Sequence, residues 1–194
     1  MENIAPALLE WFYKNQRLLP FRTDPSPYHV WLSEIMLQQT RVSAALPYNE
    51  RFLAALPDIP ALAACEEEKL HKLWEGLGYY SRVRNLQKAA CSGCALSGWQ
   101  LPADYDPLRA LPGIGDYTAG AIASISFGLA VPAVDGNVLR AFSRLYNDPG
   151  VITEPAVKRA FTARVMEHQP PEKAGDYNQA LMELGALVCV PNGA

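Results

Sequence analysis

The stretch Leu111–Gly120, LPGIGDYTAG, decides how the rest of the chain is read. Before it, DPLRA (106–110) has the makings of a short helix; after it, DYTAGAIASISFG (116–128) reads as a longer one. Pro112 ends the first helix, and the glycines at 113 and 115 let the chain turn through backbone angles that other residues resist. A tight hairpin entering a helix also turns backbone N–H groups outward, where they suit an anion such as a nucleic-acid phosphate. Gly113, Ile114 and Gly115 are therefore candidate phosphate contacts, of the kind that position a duplex without reading its bases. Gly-x-Gly also occurs at plain connections between helices, so the hairpin needs support from elsewhere.

Outward from this point the pattern is helix, turn, helix. Helical spacing runs through APALLEWFYKNQ, PYNERFLAALP, DIPALAAC, EEKLHKLWEGLG and SRVRNLQKAACSGCAL, and resumes in NVLRAFSRLYN, PAVKRAFTARVMEHQ and DYNQALMELGALVC. Sixteen Pro and thirteen Gly supply the breaks, and the predicted fold class is all-α. At 194 residues and 49% hydrophobic the chain can bury one large core or two smaller ones. No apolar run is long enough to cross a bilayer, and MENIAPALLEWFYKNQ lacks a basic region followed by an apolar one, so a soluble intracellular protein is expected. A net charge of −3 argues against nonspecific polyanion binding, but Arg17, Arg22, Arg41, Arg82, Arg84, Lys88, Arg140 and Arg144 lie close to the motifs and leave a local basic face open. Cys65, Cys91, Cys94 and Cys189 read as thiols. The CSGC spacing at 91–94 is metal-like but stands as a single pair, better read as small residues beside a turn.

Support for the hairpin comes from three other stretches. In VWLSEIMLQQT (30–40), Glu34 places a carboxyl among Trp31, Leu32, Ile35 and Met36, on a helix announced by Ser26–Pro27. In VPAVDGNVLR (131–140), Asp135 precedes a helix starting near Asn137; alone it is a helix cap. Beside a second carboxyl in an apolar setting, it completes a pair whose environments favour different protonation states, one an acid and one an electrostatic stabiliser. In WEGLGYYSR (74–82), Trp74 reads as core, whereas the glycines beside Tyr79 imply a turn that exposes it. Exposed Tyr79 and Gln39 suit a gap left in a base stack.

Taken together, SEIMLQQTRV, GLGYYSR, LPGIGDYTAGAIASISFG and VDGNV resemble the helix-hairpin-helix DNA glycosylases, and within them the A/G-specific adenine glycosylases, over almost the whole chain. The resemblance implies two helical lobes, a six-helix barrel with the hairpin at 25–131 and a second lobe from 1–24 plus 132–194, with the active site in the cleft between them. It implies base-excision repair: hydrolysis of the N-glycosidic bond of adenine mispaired with 8-oxoguanine or guanine in double-stranded DNA, with the adenine turned out of the duplex. Glu34 matches the family's proton donor and Asp135 its aspartate, with Tyr117 and Asn137 in support. Arg17, Phe21, Trp31, Leu37 and Gln179 fall at or beside base-pocket positions, and for Trp31 a plain core role stays open. Gln38, Gln39, Thr40 and Tyr79 match DNA contacts, with Gln39 and Tyr79 entering the stack. The related glycosylase/lyases carry a Schiff-base lysine where this chain has Tyr117, so excision without strand cleavage is expected. A monomer is expected, cytoplasmic and nucleoid-associated if the source is a bacterium.

The pattern breaks near the C-terminus. Cys189 matches the first ligand of the family's 4Fe-4S cluster, but the three that follow it are missing, and one thiolate cannot hold four irons. The cluster is therefore expected in a full-length relative and not in these 194 residues, which read as a partial chain also lacking the C-terminal 8-oxoguanine-recognition domain. Phe21, where many members have Trp, is a smaller departure. The alternatives are another mismatch or lesion glycosylase of the same family, or a noncatalytic DNA-binding fragment; the presence of both acids speaks against the latter.

Overall fold

A computed structural model describes residues 2–95 and 97–191. Among them are twelve α-helices and no strand. In chain order the helices are α1 (Ala5–Asn15), α2 (Pro20–Thr23), α3 (Pro27–Leu37), α4 (Val42–Ala55), α5 (Ile59–Ala64), α6 (Glu67–Trp74), α7 (Ser81–Ala89), α8 (Tyr105–Arg109), α9 (Asp116–Phe127), α10 (Gly136–Leu145), α11 (Pro155–His168) and α12 (Ala174–Leu187). A π-helical turn, Ala90–Cys94, extends α7, and the side chain of Cys94 lies outside the described residues. No helix is long and apolar enough to cross a membrane, among the described residues.

The chain divides into two compact units, Pro20–Ala119 and Met1–Leu19 with Gly120–Ala194. These junctions differ from those expected at 24/25 and 131/132. The later one falls inside α9, whose Ser124 bonds to Asn178 of α12.

In the continuous unit, Pro and Asp set the helix starts. Pro27 stands at the first position of α3, and the Asp58 carboxylate accepts the amide of Ala61 at 2.8 Å to cap α5. α4 starts earlier than its sequence suggests. It opens at Val42 and carries Pro47 inside, at the expense of one backbone hydrogen bond. The packing of α3 on α4 and α7, and of α4 on α6, explains why that loss is tolerated. Phe52 and Trp74 meet edge to face with centroids 5.9 Å apart, and Trp31, Leu32, Met36 and Leu70 are fully enclosed.

In the split unit, α1 and α10 pack against α12. Leu8, Leu9 and Phe12 of α1 join Val138, Leu139 and Phe142 of α10, Phe161 and Val165 of α11, and Tyr177 and Leu181 of α12 in one core. Also on α12, fully buried Asn178 donates to Ser124 Oγ at 2.8 Å and to the Val131 carbonyl at 2.9 Å. Its own oxygen accepts Gln169 Nε2 at 3.2 Å and the Ala133 amide at 3.4 Å. One amide side chain thus holds the segment leading to Asp135. Asn178→Ala strands several buried partners and is expected to cost about 1–3 kcal/mol, measured by urea unfolding; an unchanged midpoint would contradict the bracing role.

Candidate active site

Glu34 sits on α3 at 7% exposure, among neighbours that are themselves buried: Trp31, Leu32, Ser33, Ile35 and Met36. The residue is thus largely withdrawn from solvent. Trp31 is fully enclosed and meets Tyr28 edge to face at 6.4 Å, which assigns it to packing rather than to an open pocket wall. Phe21 and Leu37 line one small cavity, about 10 Å³, together with Ser33, Met36 and Asn49. That volume holds a water at most and no purine.

The hairpin lies in the same unit. Gly113 has φ of 79°, and a Cβ there would stand 2.8 Å from the Asn85 side chain, so the turn and the close approach both require glycine. Gly115 faces open space. Ile114 departs from expectation. Its side chain is buried and its amide donates to the Leu111 carbonyl at 3.1 Å, so it shapes the turn and has no N–H left for a phosphate. Neither Gly113 nor Gly115 gives its amide to a backbone carbonyl, among the described residues. Tyr117, half-buried, lies in the first turn of α9.

Two exposed side chains stand on unusual backbone. Gln39 has φ of 61° and Tyr79 of 47°, left-handed values that neither residue favours. The guanidinium of Arg82, only 8% exposed, runs beneath both. The two N–H groups of one terminal nitrogen are shared among the carbonyls of Ile35, Met36 and Gln38 and Thr40 Oγ1, and the other nitrogen donates to the carbonyls of Leu77 and Gly78. Gln38 and Thr40 are thereby engaged through backbone and hydroxyl.

In the split unit, Asp135 caps α10. One carboxylate oxygen accepts the Val138 amide at 2.8 Å, the other accepts Asn137 Nδ2 at 2.7 Å, and the start of a helix favours the negative charge. Asn137 in turn accepts from Arg140 at 2.9 Å, and Arg140 also donates to the carbonyls of Gly185 and Cys189. Asp135, Asn137, Arg140 and Cys189 form a continuous polar chain. Gly185 makes it fit, since a Cβ there would lie 2.6 Å from that of Asn137. Gly185→Ala is expected to cost about 1–3 kcal/mol through overpacking of α10 on α12, read from the denaturation midpoint; a wild-type midpoint would show that the two helices part freely.

Arg17 is tied to α12. Its backbone amide, Nε and Nη2 all donate to the fully buried carboxylate of Glu183, at 2.7–2.9 Å, and this bonding raises the Arg17 pKa further. A forked pair of this kind fixes the chain after α1 to α12 and sets the direction of the guanidinium. Gln179 is half-buried on α12. The basic residues split in the same way: Arg17, Arg82, Arg140 and Arg144 serve protein acceptors, whereas Arg41, Arg84 and Lys88 are exposed in the continuous unit.

Cys189 is buried, with its sulfur 3.2 Å from Arg144 Nη1. Cys65, Cys91 and Cys189 are free thiols, and no group of three or more His, Cys, Asp and Glu is placed to hold a metal, among the described residues. One thiol of the four required does not fit a 4Fe-4S cluster.

Comparison with known proteins identifies the family. Residues 32–167 match the family model described as HhH-GPD superfamily base excision DNA repair protein. The chain is 41% identical over 193 residues to the adenine DNA glycosylase of Mus musculus, covering 95% of this chain and 38% of that protein. It is 38% identical over 185 residues to the adenine DNA glycosylase of Buchnera aphidicola subsp. Schizaphis graminum, covering 95% of this chain and 53% of that one. It thus spans about half or less of these relatives. Among solved structures it resembles a thermostable thymine-DNA glycosylase (TM-score 0.86, 22% identity, 97% of this chain and 87% of that one). It also resembles endonuclease III in a trapped covalent DNA intermediate (TM-score 0.82, 21% identity, 97% and 86%). At these identities the likeness establishes the fold, which is the all-α fold of helix-hairpin-helix glycosylases. With a family model matched across residues 32–167, the chain belongs to the HhH-GPD superfamily of base excision DNA repair proteins.

Proposed function

We propose that the chain is the catalytic part of an adenine DNA glycosylase, removing adenine mispaired with 8-oxoguanine or guanine. The observation that carries this reading is Glu34, an acid only 7% exposed on a helix whose flanking residues are buried, in the unit that also carries the glycine hairpin. The names of the relatives support it. Gly113 and Gly115 offer backbone amides to a phosphate, and Arg41, Arg84 and Lys88 offer charge, while Gln39 and Tyr79 enter the base stack as the adenine leaves it.

Neutral adenine is a poor leaving group. Enclosure disfavours the charged form of a carboxyl, so Glu34 is suited to deliver its proton to a ring nitrogen as the C1′–N9 bond breaks and both bonding electrons leave with the base. The sugar then carries positive charge across C1′ and the ring oxygen. Asp135, an acceptor in both its contacts, stabilises that charge until water adds to C1′ and gives up a proton. Tyr117 has no amine, so no Schiff base forms there and the product is an intact strand with an abasic site.

A panel of duplexes with adenine opposite 8-oxoguanine, adenine opposite guanine and thymine opposite guanine tests the reading, with abasic sites resolved with and without alkali. Expected are breaks at adenine that require alkali. Cleavage of the thymine duplex alone would assign the chain to another substrate in the family, and no abasic product from any duplex would leave a DNA-binding fragment.

A further inference from the structure

The helix that carries Glu34 ends at Leu37, and the carbonyls at such an end lack partners within the helix. Here those of Ile35 and Met36 turn to Arg82 Nη1, as do the Gln38 carbonyl and the Thr40 hydroxyl. The other terminal nitrogen takes the carbonyls of Leu77 and Gly78, forty residues further along the chain. The two loops so joined hold Gln39 and Tyr79, each in left-handed backbone and each exposed, Tyr79 at 64%. Left-handed residues other than glycine persist only where their surroundings determine them. Here one planar guanidinium reaches both loops at once through its two terminal nitrogens, while its buried Nε has no hydrogen-bond partner among the described residues. The Tyr79 ring lies 5.6 Å from the guanidinium carbon, and the indole N–H of Trp74 adds a hydrogen bond to the Gly78 carbonyl at 3.0 Å. Arg82 has no carboxylate partner among the described residues, and burial lowers its pKa. A cation is retained in that setting for its geometry.

We infer that Arg82 is a positioning residue that couples Gln39 and Tyr79 into one wedge, so that the two side chains enter the duplex together when the target base leaves. The inference rests on the reading of the chain as a glycosylase whose Gln39 and Tyr79 enter the stack. It assigns Arg82 no contact with the reacting base. Lysine keeps the charge but presents a single compact nitrogen, which cannot span two loops, so charge alone does not restore the wedge.

The test is a mutant cycle on the 194-residue protein, using single-turnover adenine excision from a duplex with adenine opposite 8-oxoguanine. The proteins are wild type, Arg82→Lys, Gln39→Ala/Tyr79→Ala, and the triple variant. Arg82→Lys alone is expected to slow excision about tenfold or more, as expected of a displacement of aligned groups. Added to the double variant it should slow excision no further than about twofold, because the side chains it positions are already gone. Loss of fold would instead multiply through every background, so the cycle separates positioning from instability even where Arg82→Lys lowers the melting temperature. Excision by Arg82→Lys within twofold of wild type, or the full effect persisting in the triple variant, overturns the coupling while leaving the functional reading intact. A wild-type protein that releases no adenine overturns both.

Discussion

Replacing Glu34 with Gln is expected to slow adenine release by about 10²–10⁴-fold, the range associated with general acid catalysis, while the duplex still binds. The argument begins with the environment. Glu34 is itself 7% exposed, and Trp31, Leu32 and Met36 on the same helix are wholly enclosed. Gln has nearly the same shape and satisfies similar hydrogen bonds, so the helix and the packing beneath it should survive. What it lacks is a transferable proton. Single-turnover excision and a gel-shift titration with the same duplex separate the two effects, and undiminished excision would remove Glu34 from the chemistry. Weakened binding with normal turnover would recast it as a substrate contact.

Asp135→Asn is expected to lower the rate about 10²–10³-fold, comparable to removing one preorganised electrostatic group from a transition state. Asparagine is as good a helix cap as aspartate, so the amide of Val138 keeps its acceptor and α10 keeps its start. The second oxygen is where the variant differs, for it becomes an amide that faces Asn137 Nδ2, donor against donor, and the negative charge is gone. Stability within about 0.5 kcal/mol of wild type together with the rate loss would place the role of Asp135 in charge and not in capping. A large fall in stability with little loss of turnover per folded molecule would reverse that conclusion.

Much of the fold was legible because the signals were local. Gly113 takes the positive φ that its hairpin predicts, Pro27 opens α3, and α10 shows its apolar stripe at Val138, Leu139 and Phe142. Pro47 misled, since a proline marks a helix start in most contexts and here lies inside one held by tertiary packing. The burial of Glu34 and the exposure of Gln39 and Tyr79 were legible, the framework that holds them less so. Arg17 and Glu183 meet across 166 positions, and no periodicity links them. Glu183 nevertheless carried the signal that exposed Glu34, an acid within an apolar run, and the same scrutiny of ALMELGALV would have found it. Arg82 was visible only as one cation among several. Its importance lies in which carbonyls it gathers, and partner choice of that kind is set by the packing of α3 on α7.

The most direct test is a crystal structure of the Glu34→Gln protein bound to a duplex with adenine opposite 8-oxoguanine. The account predicts the adenine out of the stack, a ring nitrogen within about 2.6–3.2 Å of the side chain at 34, and the Asp135 carboxylate on the sugar side of the same nucleotide. An adenine still paired within the helix, or one extruded nucleotide reached by only one of the two residues, would contradict it.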